Sequence, residues 1–303
     1  MRIVIAGGSG FLGQPLAEAC RADGHTVTVL TRATTSSPNI VHWIPNGHTG
    51  PWAAALHQTD AVINLAGASI AGARWTTRRK ALLRESRLLA TRSLIDAIAQ
   101  QRHPPAVFIS GSAVGYYGPR GDEPVTEGTP KGTDFLAGLA AEWEDAAQPA
   151  ARLGVRLVVL RTGLALAPDG GILGRMLLPF RLGAGGRLGS GRQFVPWIHR
   201  RDWIDLVRWA IATPPVAGPI NLCAPEPATN ATFGSTLARL LHRPFVAHVP
   251  AFALRLALGE LAEALLTGQR ARPARALVEG FRFQWPSLEP ALRDLLQLPG
   301  ADR

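Results

Sequence analysis

Residues 1–32 read MRIVIAGGSGFLGQPLAEACRADGHTVTVLTR, and their pattern decides the fold. Ile3, Val4, Ile5 and Ala6 form an apolar run of the kind that makes a fully buried strand. Gly7, Gly8, Gly10 and Gly13 follow at once. From Phe11 to about Gly24 the pattern is helical, with Leu12, Leu16, Ala19 and Cys20 on one face, and Thr26–Leu30 is a second strand. Strand, glycine turn, helix and strand within about thirty residues make the dinucleotide-binding unit. One glycine permits the tight turn, one lets the backbone approach a pyrophosphate, and one lets the helix pack closely on its strand. The spacing fits both Gly8-x-Gly10-x-x-Gly13 and Gly7-x-x-Gly10-x-x-Gly13. Phe11 and Leu12 open the helix whose N-terminal N–H groups and positive dipole end suit phosphates.

The end of the second strand bears on the choice of cofactor. A site for NAD places Asp or Glu there, to bind the ribose hydroxyl. This chain has Thr31 and Arg32, followed by Thr34, Thr35 and Ser36. An arginine and hydroxyls complement a 2′-phosphate, so NADP (NADPH) is expected rather than NAD.

Outward from this unit, strands are predicted at Ile40–Ile44, Asp60–Leu65, Ala106–Ser110, Val155–Leu160 and Pro219–Cys223. Helices are predicted at Pro51–His57, Arg74–Gln101, Phe135–Leu153, Ile172–Leu182 and Trp203–Ala212, the last capped by Asp202. Leu83, Ala90, Leu94 and Ile98 form the apolar stripe of the long helix, and His103-Pro104-Pro105 stops it. Strands alternating with helices argue for an α/β fold, a doubly wound parallel Rossmann sheet. Residues 229–303 read as a small, mostly helical C-terminal lobe with short strands near Phe245 and Phe281. The expected division is 1–228 for the NADP-binding domain, with 163–198 contributing to the substrate pocket, and 229–303 for the lobe.

Composition narrows the function classes. The 303 residues are 47% hydrophobic, as in globular proteins, and no apolar run is long enough to span a bilayer. The first residues are the first core strand rather than a signal peptide, so a cytoplasmic location is the default expectation. Cys20 and Cys223 form no redox or metal motif, and the 8 histidines show no zinc-ligand spacing, so no metal is expected. The formal charge of +10 comes from scattered arginines with no aromatic-interleaved basic run, which argues against nucleic acid. A small-molecule substrate, no membrane, and a monomer or homodimer are the expected associations.

Several motifs carry a family resemblance. Gly7-x-x-Gly10-x-x-Gly13, Asn64-Leu65-Ala66-Gly67, Ser110-Gly111-Ser112 before Tyr116-Tyr117-Gly118, and Arg161-Thr162-Gly163 resemble the extended short-chain dehydrogenases/reductases, the NAD(P)-dependent sugar epimerases and dehydratases. RWTTRRK (74–80), SGSAVGYYG (110–118), RLGSGRQFVPWIH (187–199) and FRFQWPSLEPALRDLL (281–296) resemble an atypical "epimerase family protein" subgroup with a C-terminal domain of unknown function. The resemblance covers nearly the whole chain. It implies cofactor contacts from Gly7, Gly10, Phe11, Leu12, Gly13, Thr31, Arg32, Leu65, Ala66, Gly67, Ser110 and Arg161.

In the wider family, Ser or Thr acts with Tyr-x-x-x-Lys, the lysine depressing the pKa of a tyrosine that moves a proton. This chain cannot supply that pair: Tyr116 and Tyr117 are its only tyrosines, and Arg120 and Gly121 stand four residues on. The helix expected to carry the motif reads DFLAGLAAEWEDAA (134–147), without Tyr or Lys. Ser112 is retained, and Ser112 with Tyr116 is the first candidate for catalysis, with Lys80 and Lys131 as other proton sources. Arg74, Lys80, Tyr117, Arg192, Gln193 and Trp197 are the candidate substrate residues, Trp197 as a stacking ring or a packed wall. Trp143 is expected in the core, and Glu123, Glu127 and Glu144 at the surface. Two readings follow: an NADP(H)-dependent oxidoreductase or epimerase with an altered acid/base group, or a non-catalytic NADP(H)-binding or redox-sensing protein.

Overall fold

The computed structural model describes residues 1–34 and 37–298. Its seven-stranded parallel sheet contains β1 (Arg2–Ala6), β2 (Thr26–Thr31), β3 (Ile40–His42), β4 (Ala61–Asn64), β5 (Val107–Ala113), β6 (Arg156–Thr162) and β7 (Gly218–Leu222). The spatial order is β7-β6-β5-β4-β1-β2-β3. β1 runs parallel to both β2 and β4, with Ile5 opposite Val29 on one side and Ile63 on the other. The strand order therefore reverses at β1 and β4, the switch point where α/β sheets bind ligands beyond the strand C-termini.

The helices that bear on the site are α1 (Gly13–Ala22), α2 (Thr77–Ala99), α3 (Phe135–Ala147), α4 (Gly171–Arg181), α5 (Arg200–Ala212), α6 (Asn230–Leu240), α7 (Ala251–Leu258) and α8 (Leu288–Leu295). Local chemistry explains where several boundaries moved. α2 starts at Thr77 rather than Arg74 because Thr76 is its N-cap, its hydroxyl accepting the Arg79 N–H at 3.1 Å. The single helix expected over 135–153 is two, broken before Pro149. Asp202 lies inside the first turn of α5 and is not its cap; its carboxylate accepts the Gln284 and Trp285 N–H groups at 2.8 and 3.0 Å.

Two compact units emerge. The first comprises 1–113, 138–161 and 204–220. Its core joins Val4, Leu30, Val62, Phe108 and Val159 of the sheet to Leu94 and Ile98 of α2. The second comprises 114–137, 162–203 and 221–303. The lobe expected over 229–303 lies inside it, together with segments from much earlier in the chain. The second unit is built from short pairings between distant segments. Pro124–Val125 pairs with Arg270–Ala271, Gly186–Leu188 with Ala247–Val249, and Phe194–Val195 with Ala228–Thr229. A strand near Phe245 is present at Ala247–Val249; the strand expected near Phe281 falls instead at Arg270–Ala271.

Candidate functional site

The glycine loop divides into positions the fold requires and one it does not. Gly7 has φ +80°, and a Cβ there would meet the Leu65 carbonyl carbon at 2.8 Å. A Cβ on Gly8 would strike the Val29 side chain at 2.8 Å, and one on Gly13 would lie 2.3 Å from the Gly7 oxygen. These three let β1, β2, β4 and α1 come together. Gly10 is different: it is exposed, and its Cβ would touch only the Gly7 oxygen, at 3.2 Å. The space above Gly10 is thus open to a ligand's backbone-hugging group. No side chain caps α1 at Leu12, and its first turn holds no acidic residue, so an anion is not competed away.

At the end of β2, Thr31 is buried, its hydroxyl 3.4 Å from that of Ser9, while Arg32 is exposed beyond it. Thr34 is exposed as well; Thr35 and Ser36 lie outside the described residues. No carboxylate occurs between Thr26 and Pro51 to repel a 2′-phosphate.

A buried polar chain shapes the loop after β4. Asn64 Oδ1 accepts the Ala66 N–H at 3.1 Å and its Nδ2 donates to Thr91 Oγ1 at 2.9 Å. Thr91 also accepts from the Trp143 indole at 3.1 Å and donates to the Arg87 carbonyl at 2.8 Å. Leu65 and Ala66 are half-buried and Gly67 is exposed. Trp143 packs so tightly on β5 that a Cβ at Gly111 would lie 2.7 Å from its ring, which is the reason for glycine in the Ser-Gly-Ser stretch. Ser110 is fully buried in the middle of that strand.

Glu144, expected at the surface, is buried. It receives both Arg161 Nε and Nη2 at 2.9 Å, and the Ser112 hydroxyl donates to its Oε1 at 2.6 Å. Arg161 therefore has a partner other than the cofactor contact expected of it; it is 4% exposed, Ser112 5% and Glu144 8%. The Ser112 proton is committed to a carboxylate, which leaves the oxygen able to accept a hydrogen bond rather than give one.

Sequence reasoning passed over Arg87. It continues the α2 stripe four residues after Leu83, yet it is a buried cation, 8% exposed. Its Nη1 donates to the Leu83 carbonyl at 2.9 Å and its guanidinium lies 5.1 Å from the Trp143 ring centroid. A charge on an apolar stripe was the available signal. Arg74 is exposed and Lys80 half-buried, both around the start of α2.

Among the second-unit candidates, Tyr116 is half-buried and packs edge-on against Tyr117, centroids 5.5 Å apart. Tyr117 is fully buried and its hydroxyl donates to Asn221 Oδ1 at 2.6 Å, so it is a core residue and not a substrate contact. Trp197 is likewise core, 1% exposed, its indole donating to the Glu226 carbonyl at 3.2 Å; the packed-wall alternative holds and stacking does not. Arg192 is largely exposed, 3.8 Å from Asp122, and lines a cleft of about 410 Å³ with Phe194, Thr229 and Arg270. Gln193 spends both amide hydrogens on the Leu188 and Leu265 carbonyls, and its Oε1 is buried with no partner among the described residues. It offers an acceptor where a donor was expected. Glu127 is no loose surface charge either: its two oxygens accept the Asn221 and Arg275 N–H groups at 3.0 and 3.3 Å.

His199 pins the C-terminal segment. Its Nδ1 accepts the Arg201 N–H, its Nε2 faces Asp294 Oδ2 at 3.1 Å, and its ring stacks on Trp285 with centroids 3.8 Å apart. Burial holds its pKa down at about 4, against the opposing pull of Asp294. Below pH 6.5 the unfolded chain takes up a proton that the native state refuses, so stability falls between pH 6.5 and about 4. His199→Gln is expected to flatten that part of the stability–pH curve, measured by urea unfolding. Parallel curves for the two proteins would contradict the assignment.

Among the described residues no helix is long and apolar enough to cross a membrane, and no group of three or more His, Cys, Asp or Glu is placed to hold a metal.

Comparison with known proteins follows the same lines. Residues 3–223 match the NAD dependent epimerase/dehydratase family, and residues 249–295 match a domain of unknown function, DUF1731. The chain is 43% identical over 300 residues to the epimerase family protein Mb2239 of Mycobacterium bovis, covering 98% of each. It is 40% identical over 301 residues to the epimerase family protein YfhF of Bacillus subtilis, again covering 98% of each. The crystal structure of the human epimerase family protein SDR39U1 (isoform 2) with NADPH superposes with a TM-score of 0.90 at 36% identity, covering 98% of this chain and 99% of that one. With the glycine loop, the sheet order and the residues beyond β4 and β5 all in agreement, the chain belongs to the NAD dependent epimerase/dehydratase family.

Proposed function

We propose that the protein is an NADP(H)-dependent oxidoreductase or epimerase-like enzyme acting on a small polar metabolite. The observation that carries the proposal is Gly10, an exposed glycine whose Cβ would meet a single atom, the Gly7 oxygen, and that leaves the uncapped start of α1 open to a diphosphate. The NADPH bound by the human relative supports the same choice of coenzyme. Gly7, Gly10 and Gly13 with the N–H groups of Phe11 and Leu12 would hold the diphosphate, Arg32 the 2′-phosphate, and Leu65–Gly67 would border the rest. When bound, the coenzyme supplies hydride exchange. The chain's own part is to orient the substrate and move a proton.

Tyr116 is the proposed proton donor. The commitment of the Ser112 proton to Glu144 favours a second reading, in which the protein binds NADP(H) and performs no chemistry.

Two measurements separate these. NADPH oxidation against a panel of carbonyl compounds, lost in Tyr116→Phe while NADPH binding persists, supports the enzyme. Binding without turnover across the panel supports the second reading. For the coenzyme, Arg32→Ala is expected to weaken NADPH binding by about tenfold or more and leave NADH unchanged. Equal losses for both would contradict the role given to Arg32.

A further inference from the structure

We propose that Arg79 and Arg87 form an oxyanion-binding site on the small-residue loop that follows β4, and that it takes a carboxylate or phosphate group of a bound small molecule. This deepens the functional reading above and rests on it for the identity of the molecule, not for the presence of the site.

The two arginines lie eight residues apart on α2, a little over two turns. They reach the same stretch of loop. A Cβ added to Gly67 would lie 3.2 Å from Arg87 Cζ and 3.3 Å from its Nη1. Arg79 Nη2 donates to the Ser69 carbonyl, and a Cβ on Gly72 would sit 2.7 Å from that nitrogen. Glycine at 67 and 72 thus leaves the backbone against the guanidinium groups with no side chain to cover them.

Neither cation is compensated. Among the described residues no carboxylate pairs with Arg87, whose contacts are the Leu83 carbonyl and the Trp143 ring. Arg79 Nε is buried with no hydrogen-bond partner. The contrast within the same unit is instructive. Arg161 is as buried as Arg87 but is held by Glu144 on two nitrogens, and Arg156 places its guanidinium on the carbonyls of Ala210, Ile211 and Val216. Burial, and after it the neighbouring charge of Arg79, lowers the pKa of Arg87 to about 10. A buried cation beside a second cation is destabilising unless an anion joins them. Two guanidinium groups set against the same loop, Arg87 at Gly67 and Arg79 at Gly72, offer planar donor forks that match the oxygens of a carboxylate or phosphate.

That oxyanion belongs either to the coenzyme's diphosphate or to the substrate, and titrations distinguish the two. Full-length wild type, Arg87→Met, Arg87→Lys and Arg79→Met are titrated by calorimetry with inorganic phosphate, alone and after saturation with NADPH, and with NADPH itself. The site predicts that phosphate binding to the coenzyme-free protein weakens by about tenfold in both Met variants and is partly restored by Lys. If NADPH affinity falls in parallel, the oxyanion is the coenzyme's. If NADPH affinity holds and phosphate still binds the NADPH-saturated wild type, it is the substrate's. Phosphate and NADPH affinities that stay within about threefold of wild type in both Met variants would overturn the site. Melting of the ligand-free proteins gives an independent reading: Arg87→Met should melt at or above the wild-type temperature, since an uncompensated buried charge is removed. A clear fall with Met and with Lys alike would assign Arg87 to packing and overturn the site. Should wild type bind phosphate but no NADPH, the coenzyme reading fails while the oxyanion site stands.

Discussion

Gly10→Val is expected to leave folding stability within about 1 kcal/mol of wild type and to abolish measurable NADPH binding, a loss of at least about 100-fold. The reasoning is geometric. Gly10 has no left-handed backbone requirement, and its Cβ would meet one atom, the Gly7 oxygen at 3.2 Å, a contact relieved by a shift of a few tenths of an ångström. The added methyl groups project into the space from which a diphosphate would reach the start of α1. Gly13→Ala serves as the contrast. Its Cβ would stand 2.3 Å from the Gly7 oxygen and 2.7 Å from Gly8 Cα, overlaps with backbone too deep for a shift of a few tenths of an ångström to relieve. That variant is expected to lose about 2–3 kcal/mol of stability. The pair separates a glycine kept for the ligand from one kept for the fold, by calorimetry for binding and urea unfolding for stability. Equal destabilisation by both would remove the distinction.

Glu144→Leu should be the more damaging change to the fold itself. It strands Arg161, 4% exposed, without its carboxylate and deprives the Ser112 hydroxyl of its acceptor. Breaking a buried pair from one side costs about 3–5 kcal/mol, because the remaining charge loses its counter-charge in a buried place. Replacing both ends, Glu144→Leu with Arg161→Met, is expected to recover most of that loss. Ser112→Ala removes one hydrogen bond to a carboxylate, roughly 1–2 kcal/mol. Urea unfolding of the four proteins checks the ranking; a double variant no more stable than Glu144→Leu would show that the pair holds something besides itself.

The first unit was legible in the residues because its signals are local. Ile3–Ala6 and Leu157–Leu160 are continuous apolar runs, α1 keeps a 3.6-residue stripe through Leu16 and Cys20, and the glycines of the loop fall between β1 and α1. Helix boundaries moved by a few residues where Thr76 caps the start of α2 and Pro149 breaks the helix that follows β5. The second unit was hardly legible. Its strands are two or three residues long and pair across separations such as 124–125 with 270–271, too short for any periodicity to register. The same limit hid the burial of Glu144: nothing near it in sequence marks it as buried, and its partner Arg161 sits 17 residues away on β6. Tyr117 and Trp197 read as site residues by motif, but their polar atoms are satisfied by Asn221 and Glu226, far along the chain. Arg87 was legible and overlooked, since an arginine at the fourth position after Leu83 interrupts an otherwise apolar stripe.

The sheet order and the family together leave the coenzyme as the decisive question. Titration of the purified protein with NADPH and with NADH, followed by calorimetry, addresses it most directly. The expected result is saturable binding of NADPH at one site per chain with at least about a tenfold preference over NADH. Heat from neither nucleotide, or tighter binding of NADH, would contradict the assignment of the glycine loop and Arg32 to an NADP cradle.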